Sequence, residues 1–275
     1  MPVITLTSDY GLTDYRVASI KGKILSLKED AVIVDITHQI EAYNLLQTAY
    51  IVRNAYPHFP KGSIHIIAVD SFFSKQRKFV LYKADEHYFM AADNGVLSLI
   101  FYNQKPEMVY EITLNNRFDD VVNFSATDIF APAAVHLYNG GLPEVIGRKF
   151  KNPVQTTFIQ PVFNSSEKII VGEVMYIDNF GNIVSNISQV FYEKIKANFE
   201  KFTILFRNIS LHHIYQSYTG FIDDWTNERE YHGKSTALFN EVGLLEIAIY
   251  KGSLNNGAKS LFGLSPGEKI YIEFE

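Results

Sequence analysis

The 275-residue sequence predicts an α/β protein of two domains. The first, over residues 1–155, is expected to be a three-layer α/β/α domain with a largely parallel sheet, and the second, over residues 168–275, a smaller and mostly β domain. Strand-like and helix-like patterns alternate through the first half, as in successive βαβ units. Short strand patterns with few helices fill the second half. Residues 151–167 are rich in Asn, Gln, Pro and Ser, which is typical of a linker.

The alternation in the first half rests on three strand-like and two helix-like segments. The second strand is a nearly continuous β-branched run, as expected of a strand buried on both faces, and the third is predicted to be a buried strand as well. The helical segments carry apolar residues every three or four positions, and Pro57 and Pro60 end the second one. The strands are Val3–Thr7, Ala31–Ile36 and Ser63–Val69, and the helices are Tyr15–Lys28 and Leu45–Ala55.

Turn signals and further strand patterns define the remaining elements. Asp93-Asn94-Gly95 is typical of a turn, and Asn139-Gly140-Gly141 is typical of a helix end. The predicted elements are a hairpin of Phe79–Lys83 and His87–Ala91, a helix over Asp128–Tyr138, and second-domain strands over Ile169–Ile177, Phe202–Phe206, Glu246–Tyr250 and Lys269–Phe274.

Composition excludes several classes of function. The chain has no cysteine, which rules out disulfides, thiolate nucleophiles and Cys-based zinc sites. Its net charge is −5 and its basic residues are scattered, so no field draws it to nucleic acid or to an anionic membrane. No signal-peptide pattern opens the sequence, and no segment approaches the roughly 18 apolar residues of a membrane span. We therefore expect a cytoplasmic protein without nucleic-acid or membrane partners.

Two kinds of motif are rejected on their spacing. His232-Gly233-Lys234-Ser235 looks like the end of a phosphate-binding loop, but Glu228 stands where the full motif needs a glycine. The eight histidines are dispersed and form no metal-ligating pattern, so we expect no metal site.

Polar residues at the ends of three predicted strands are the main candidates for a site. Asp9 follows the first strand, Asp35 to His38 closes the second, and Asp70 closes the third. Each aspartate could instead cap the next helix. Parallel sheets bind ligands beyond the carboxyl ends of their strands, so three such ends favour one shared crevice. Arg77 is close enough in sequence to fold back onto Asp70; such a pair could hold a water or be a plain loop salt bridge.

These residues fall within motifs that resemble the S-adenosylmethionine hydroxide adenosyltransferases, relatives of bacterial fluorinase and chlorinase. Several segments match in order and spacing, and together they are more specific than any one alone. The matching segments are Thr5–Gly11 with Asp14 and Lys21-Gly22, Ile33–Ile40, Asp93–Ser98, Asp128–Ala134, Gly172–Val174 with Tyr176–Ile183, and Gly243 with Leu245–Ala248.

The resemblance implies a homotrimer of two-domain subunits, with each active site between the N-terminal domain of one subunit and the C-terminal domain of the next. It implies that water displaces methionine from C5′ of S-adenosylmethionine, giving adenosine. The sulfonium leaves as a neutral thioether, so no general acid is needed, and the protein's work is to place the nucleophile and exclude competing water. No metal or cofactor is expected beyond S-adenosylmethionine as substrate.

The resemblance also assigns individual residues. Asp70 and Arg77 match two members of the family's water-activating Asp-Arg-His set. Asp9 would bind the ribose hydroxyls, since a carboxylate can accept from both, and Asp178 with Asn182 would bind the methionine amine and carboxylate. The remaining substrate contacts implied are Phe239 as a wall for adenine, Asn240 and Ala258 at the adenine edge, and Phe73, Asn94 and Phe124.

The sequence departs from the family where water would be activated. Ser125 stands in place of the third member of the set, a histidine, and a serine cannot accept a proton near neutral pH. The loop Ser71–Ser74 replaces a Pro-Gly-rich turn, and Arg16 and Ala18 replace an aromatic residue and a glycine. The alternatives are therefore a hydrolase with an altered water site, a non-catalytic S-adenosylmethionine or adenosine binder, a halide-using relative, or other chemistry on an adenosyl substrate.

Overall fold

The computed structural model describes residues 2–102, 104–114 and 122–275. The chain divides into two compact units, residues 1–158 and 159–275, and this division falls within the Asn- and Pro-rich segment 151–167. The first unit is a sheet covered by helices on both faces and the second is built on an antiparallel sheet, so the predicted fold class is confirmed.

The first unit contains a seven-stranded sheet in the order β2-β1-β3-β5-β4-β6-β7. Strands β2, β1, β3 and β5 are mutually parallel, and the pairs from β5 to β7 are antiparallel, so the sheet is mixed. The strands are β1 (Ile4–Ser8), β2 (Ile33–Thr37), β3 (Ile64–Ala68), β4 (Phe79–Ala84), β5 (His87–Ala92), β6 (Met108–Ile112) and β7 (Gly147–Lys149).

Helices cover both faces of this sheet. One apolar cluster joins Leu6 and Ile66 of the sheet to Ile24 of α1, and a second joins Ile67 to Val52 of α2. Alternate residues of β3 thus enter opposite layers, as the period of a strand requires. The helices are α1 (Tyr15–Leu27), α2 (Leu45–Ala55), α3 (Val96–Ile100), α4 (Ala131–Tyr138) and α5 (Pro143–Ile146), with a π-helical turn over Ala126–Phe130 before α4.

Strand β2 differs from its prediction as a strand buried on both faces. It lies at the edge of the sheet, pairing with β1 along one side, and none of its residues is fully buried. Val34 is 37% exposed. The β-branched run therefore predicted the strand correctly. It did not predict how far the strand is buried, because burial depends on the position of the strand in the sheet.

The second unit holds an eight-stranded antiparallel sheet. Seven strands run in the order β12-β11-β15-β9-β10-β14-β13, and β8 also pairs with β9. The elements are β8 (Val162–Asn164), β9 (Ile169–Ile177), β10 (Ile183–Ser188), α6 (Gln189–Lys196), β11 (Phe202–Phe206), β12 (Ile209–Leu211), β13 (Ser235–Phe239), β14 (Leu244–Ile249), α7 (Ala258–Phe262) and β15 (Lys269–Phe274). Across the part of the chain that the structure describes, no helix is long and apolar enough to span a bilayer.

Candidate functional site

A cavity of about 530 Å³ lies in the first unit where β1 and β3 end. Asp9 follows β1 and Asp70 follows β3, and both carboxylates line it. Asp35, at the end of β2, does not join them: its carboxylate lies 2.6 Å from Lys21 Nζ and 3.2 Å from His38 Nε2. The other lining residues are Tyr10, Arg16, Ala42, Tyr43, Ser71, Phe72, Phe73, Val122, Asn123, Phe124 and Ser125.

Arg77 folds back onto Asp70, as its spacing suggested. Arg77 Nη2 lies 2.9 Å from Asp70 Oδ2 and Nη1 3.3 Å from Oδ1, while Nη1 also donates to the Asp70 carbonyl at 2.6 Å. The side chains are 17% and 21% exposed, so this pair is screened less than a surface ion pair. A guanidinium that bonds both carboxylate and carbonyl fixes the carboxylate in one orientation.

The backbone at Asp70 is itself constrained. Its φ is 45°, a left-handed value that is uncommon outside glycine but least unfavourable for Asp and Asn. The Asn94 amide donates to the carbonyls of Val69 and Asp70, at 3.2 and 3.3 Å, and accepts from Val96 N. Asn94, expected to contact substrate, instead braces this turn and is absent from the cavity wall, because its amide is already committed to the backbone.

Asp9 connects the ends of three segments. Its Oδ2 accepts from Tyr43 N at 3.1 Å and from Asp70 N at 3.2 Å. Within the described residues, Oδ1 accepts no hydrogen bond from the protein, which leaves it available to a ligand hydroxyl. Asp9 does not cap the helix that follows β1. That cap is Asp14, whose carboxylate accepts a hydrogen bond from Arg16 N.

A network of hydroxyls lies beside these carboxylates. The buried Ser125 hydroxyl donates to the Ser71 carbonyl, and Tyr10 OH lies 3.0 Å from Ser71 Oγ. Burial raises the pKa of Tyr10 to about 12, so this phenol stays protonated. Ser125 therefore fixes the loop after Asp70 rather than replacing the base that a histidine would supply.

The three aromatic residues near these hydroxyls differ in their surroundings. The Phe124 ring lies 5.4 Å from that of Tyr10, and Phe73 packs against the apolar core with its ring parallel to Phe79. Phe72 is 61% exposed, and its ring lies 3.9 Å from the Arg77 guanidinium carbon. Of the two aromatic residues after Asp70, Phe72 thus helps to hold the ion pair.

The second unit has a cavity of its own, of about 990 Å³. Asp178 and Asn182 lie on its wall in one turn: Asp178 Oδ1 accepts from the amides of Phe180 and Asn182 at 2.8 Å, and Oδ2 from Asn182 Nδ2 at 3.0 Å. Asn182 Oδ1 is buried and has no hydrogen-bond partner among the residues that the structure describes. The other lining residues are Phe180, Tyr218, Thr219, Trp225, Glu228, Leu238, Asn240, Glu241, Glu246, Tyr250, Lys251 and Gly252.

This second cavity carries an excess of negative charge. Burial, and next the nearby Asp178 and Glu241, raise the pKa of the Glu246 carboxyl despite a 3.1 Å hydrogen bond from Asn240. Among the described residues on the wall, Lys251 is the one basic side chain, and it pairs with Glu228 at 3.5 Å. Half-buried carboxylates without a protein cation favour a positively charged ligand group.

Two residues expected at the adenine site point elsewhere in this unit. Phe239 packs into the core against Tyr192, at a ring distance of 5.4 Å, while its neighbours Leu238 and Asn240 line the cavity. Alternate strand residues face opposite sides, so Phe239 lies on the face of β13 that packs against the core. The Ala258 side chain is also fully buried in this core, at the start of α7.

Comparison with known families agrees with both halves of the molecule. The model of the SAM hydroxide adenosyltransferase N-terminal domain matches residues 4–147, and that of the C-terminal domain matches residues 172–271. The chain belongs to the SAM hydroxide adenosyltransferase family. The resemblance inferred from the short motifs is thereby confirmed.

Individual proteins are similar to this one along most of the chain. A protein from Thermus thermophilus named (R)-S-adenosyl-L-methionine hydrolase is 26% identical over 282 residues, covering 99% of this chain and 100% of that protein. A Methanocaldococcus jannaschii protein of the same name is 28% identical over 195 residues, covering 69% and 68%. The structure of an uncharacterized conserved protein from Thermotoga maritima aligns with a TM-score of 0.84 at 26% identity, covering 98% of this chain and 100% of that one.

Sequence reasoning missed several lining residues of this family member, and some had a signal. Trp225 is the only tryptophan of the chain and is 59% exposed on the second cavity. Glu246 interrupts the apolar pattern of a strand, which marks a carboxylate with a special environment. Tyr43, with a φ of 64°, gave no such signal, because its place depends on the fold. Within the described residues, no group of three His, Asp or Glu could hold a metal ion.

Proposed function

We propose that this family member hydrolyses S-adenosylmethionine at C5′ to adenosine and methionine. The observation that carries the proposal is the pair of carboxylates at the ends of β1 and β3, one of them held by Arg77, on the wall of one cavity. Family membership and the relatives named as hydrolases support the same reaction.

The first cavity supplies the parts that this reaction needs. Asp9 Oδ1 binds the ribose hydroxyls, and Asp70, oriented by Arg77, accepts a hydrogen bond from the attacking water. The water oxygen bonds to C5′ as the C5′–S bond breaks, and that bond's electron pair stays on sulfur. The water's extra proton passes through the Asp70 carboxylate to solvent, since Tyr10 stays protonated and Ser125 is bonded to Ser71.

The second cavity supplies recognition of charge. Its carboxylates, Asp178 and Glu246, suit the ammonium group of the methionine moiety, and its rings suit an aromatic or cationic group. We propose a homotrimer in which the first cavity of one subunit meets the second cavity of the next, as the family resemblance implies. The reaction needs no metal or cofactor, because its leaving group departs neutral, and we place the protein in the cytoplasm without nucleic-acid or membrane partners.

Halide use is the less favourable chemistry for the first cavity. Asp9 and Asp70 both line it, and a halide anion beside two carboxylates is repelled.

Product analysis tests the proposal directly. Purified protein is incubated with S-adenosylmethionine, with and without chloride, and products are separated by chromatography and mass. Adenosine and methionine in equal amounts, independent of chloride, are expected. A 5′-chloro nucleoside as product would show that the protein is a halogenase and not a hydrolase. Binding without product would leave a non-catalytic binder, and sedimentation of the same sample tests the trimer.

A further inference from the structure

A chain of four polar side chains runs from two buried residues, Ser8 and His38, to two partly exposed ones, Asp35 and Lys21. Ser8 Oγ is 2.7 Å from His38 Nδ1, and His38 Nε2 is 3.2 Å from Asp35 Oδ1, off the line of a regular hydrogen bond. Asp35 Oδ2 is 2.6 Å from Lys21 Nζ. Ser8 and His38 are 1% and 2% exposed, so the serine and the imidazole are shielded from solvent.

The order serine, histidine, aspartate resembles a nucleophilic triad, but the surroundings exclude that role. Ser8 is buried and is not among the residues that line the first cavity, so no ligand atom reaches its hydroxyl. A nucleophile must stand within contact of the reacting carbon. The chain of contacts therefore acts on the protein and not on a substrate.

Its point of action is the turn between β1 and α1. The Asp35 carboxylate can only accept, which favours the tautomer with hydrogen on Nε2, and Nδ1 then accepts from Ser8. Ser8 Oγ in turn accepts from Tyr10 N at 3.4 Å, and the His38 carbonyl accepts from Gly11 N at 2.8 Å. His38 thus holds the turn twice, through its ring and through its backbone.

The residues between these two anchors are Asp9 and Tyr10, which line the first cavity. The Asp9 carboxylate also accepts hydrogen bonds from the backbone amides of Tyr43 and Asp70, and the Tyr10 hydroxyl is hydrogen-bonded to the Ser71 hydroxyl. A shift of this turn would move the carboxylate assigned to the ribose without touching Arg77.

We propose that His38 is a positioning residue, which acts through the Ser8 hydroxyl to aim Asp9 at the ribose of the ligand. The proposal rests on the proposed function for the identity of that ligand. Asp35 and Lys21 hold the ring from its other side. Burial opposes ionisation of Asp35, but the hydrogen bond from Lys21 and the nearby His38 ring outweigh it and lower its pKa.

Two conservative variants separate this role from plain packing. His38→Asn places an acceptor near the position of Nδ1 and keeps the contact with Ser8, whereas His38→Gln reaches toward Asp35 and loses it. We expect His38→Gln and Ser8→Ala to raise the KM for S-adenosylmethionine and the Kd for adenosine about tenfold, with kcat within about threefold. His38→Asn should restore both constants to within about threefold of the parent protein.

The control is His65→Asn, another fully buried histidine of the first unit, which contacts Thr5 and His87 away from the cavity. It should lower the melting temperature but leave KM and Kd unchanged. Equal loss of affinity in His38→Asn and His38→Gln, tracking their melting temperatures, would overturn the proposal.

Measuring the Kd for adenosine tests the role of His38 independently of whether the protein turns over S-adenosylmethionine. If the parent protein binds adenosine but makes none, the hydrolase assignment fails while the Kd values of the variants still decide the role of His38. If the parent protein turns over and Ser8→Ala leaves Kd and KM unchanged, the positioning role fails alone.

Discussion

The two units hold their carboxylates in opposite ways. In the first, Asp70 is held by a guanidinium and Asp9 by two backbone amides, at the ends of parallel strands. In the second, Glu246 lies within an antiparallel strand with an amide donor but no basic side chain against it among the described residues of that wall. A charge that is already compensated can orient a reactant, whereas an uncompensated one gains most by binding a cation. We interpret the first unit as the chemical half and the second as the recognition half.

Arg77→Ala is the strongest test of that division. Losing the guanidinium frees the Asp70 carboxylate, and kcat should fall about 100-fold or more while the Kd for adenosine changes less than about threefold. Steady-state kinetics and calorimetry measure the two constants. Lys75→Ala, an exposed cation in the same loop, is the matched control. Equal losses in kcat and affinity would assign Arg77 to binding.

Acid should destabilise the first unit selectively. Burial, and next the neighbouring His87, lower the pKa of His65 to about 3. The unfolded chain binds a proton at His65 below about pH 6.5, whereas the folded protein binds it only near pH 3. The folded state is therefore fully stable with respect to this group above pH 6.5 and loses stability as the pH falls from there toward 3. By linkage the first unit loses roughly 2 kcal/mol between pH 6.5 and pH 5.

Glu246 of the second unit should contribute with the opposite sign. Because the pKa of Glu246 is raised in the folded protein, its ionised form lowers the free energy of unfolding at high pH. Acidification protonates the carboxyl and removes this destabilisation. Its described histidines, His212, His213 and His232, are exposed. Hydrogen exchange measured by mass spectrometry on peptides of β3 and β14, in the full chain, compares the two units. Equal loss of protection in both would contradict the difference.

Glu246→Gln tests recognition in the second unit. Removing one buried negative charge should weaken S-adenosylmethionine binding about tenfold at neutral pH, with a smaller effect on uncharged adenosine. Since its pKa is raised, the native protein should lose affinity for the cationic ligand as the pH falls, and the variant should lose that dependence. Fluorescence of Trp225, the single tryptophan, reports binding at this cavity. Glu273→Gln, on an exposed strand position, should leave affinity unchanged.

Phe72→Leu should give the smallest effect. The ring lies over the Arg77 guanidinium but is largely exposed, where such a contact contributes about 0.5–1 kcal/mol. We expect kcat to fall about two- to fivefold, and Phe72→Tyr, which keeps the ring, to retain the parent value. A tyrosine variant as slow as the leucine variant would exclude the cation–π contact as the cause.

Much of the site in the first unit could be predicted because it follows local rules. Asp9 and Asp70 come directly after strands, and the ends of neighbouring parallel strands meet at one edge. Arg77 lies within reach of Asp70 along one loop. The position of Asn94 could not be predicted in this way, since the backbone carbonyls that it braces, those of Val69 and Asp70, lie about 25 residues away in sequence.

The second unit was less predictable for the same physical reason. Successive residues of a strand face opposite sides of the sheet, so a short motif does not show whether Phe239 or its neighbours Leu238 and Asn240 line the cavity. Glu246 was recognised as part of a family strand motif but not as a charged group on the cavity wall.

Sequence patterns were enough to identify the first three strands, the following hairpin and three helices of the first unit, four strands of the second, the strand-end carboxylates and the family, because periodicity, turn residues and ordered motifs are local properties. They missed other elements, among them β10, β13 and α6. The tertiary structure alone decided that β2 is an edge strand, that Ser125 bonds the loop after Asp70, and that His38 lies beneath the turn carrying Asp9. Those facts depend on strand order and on contacts between distant residues, which no local pattern encodes.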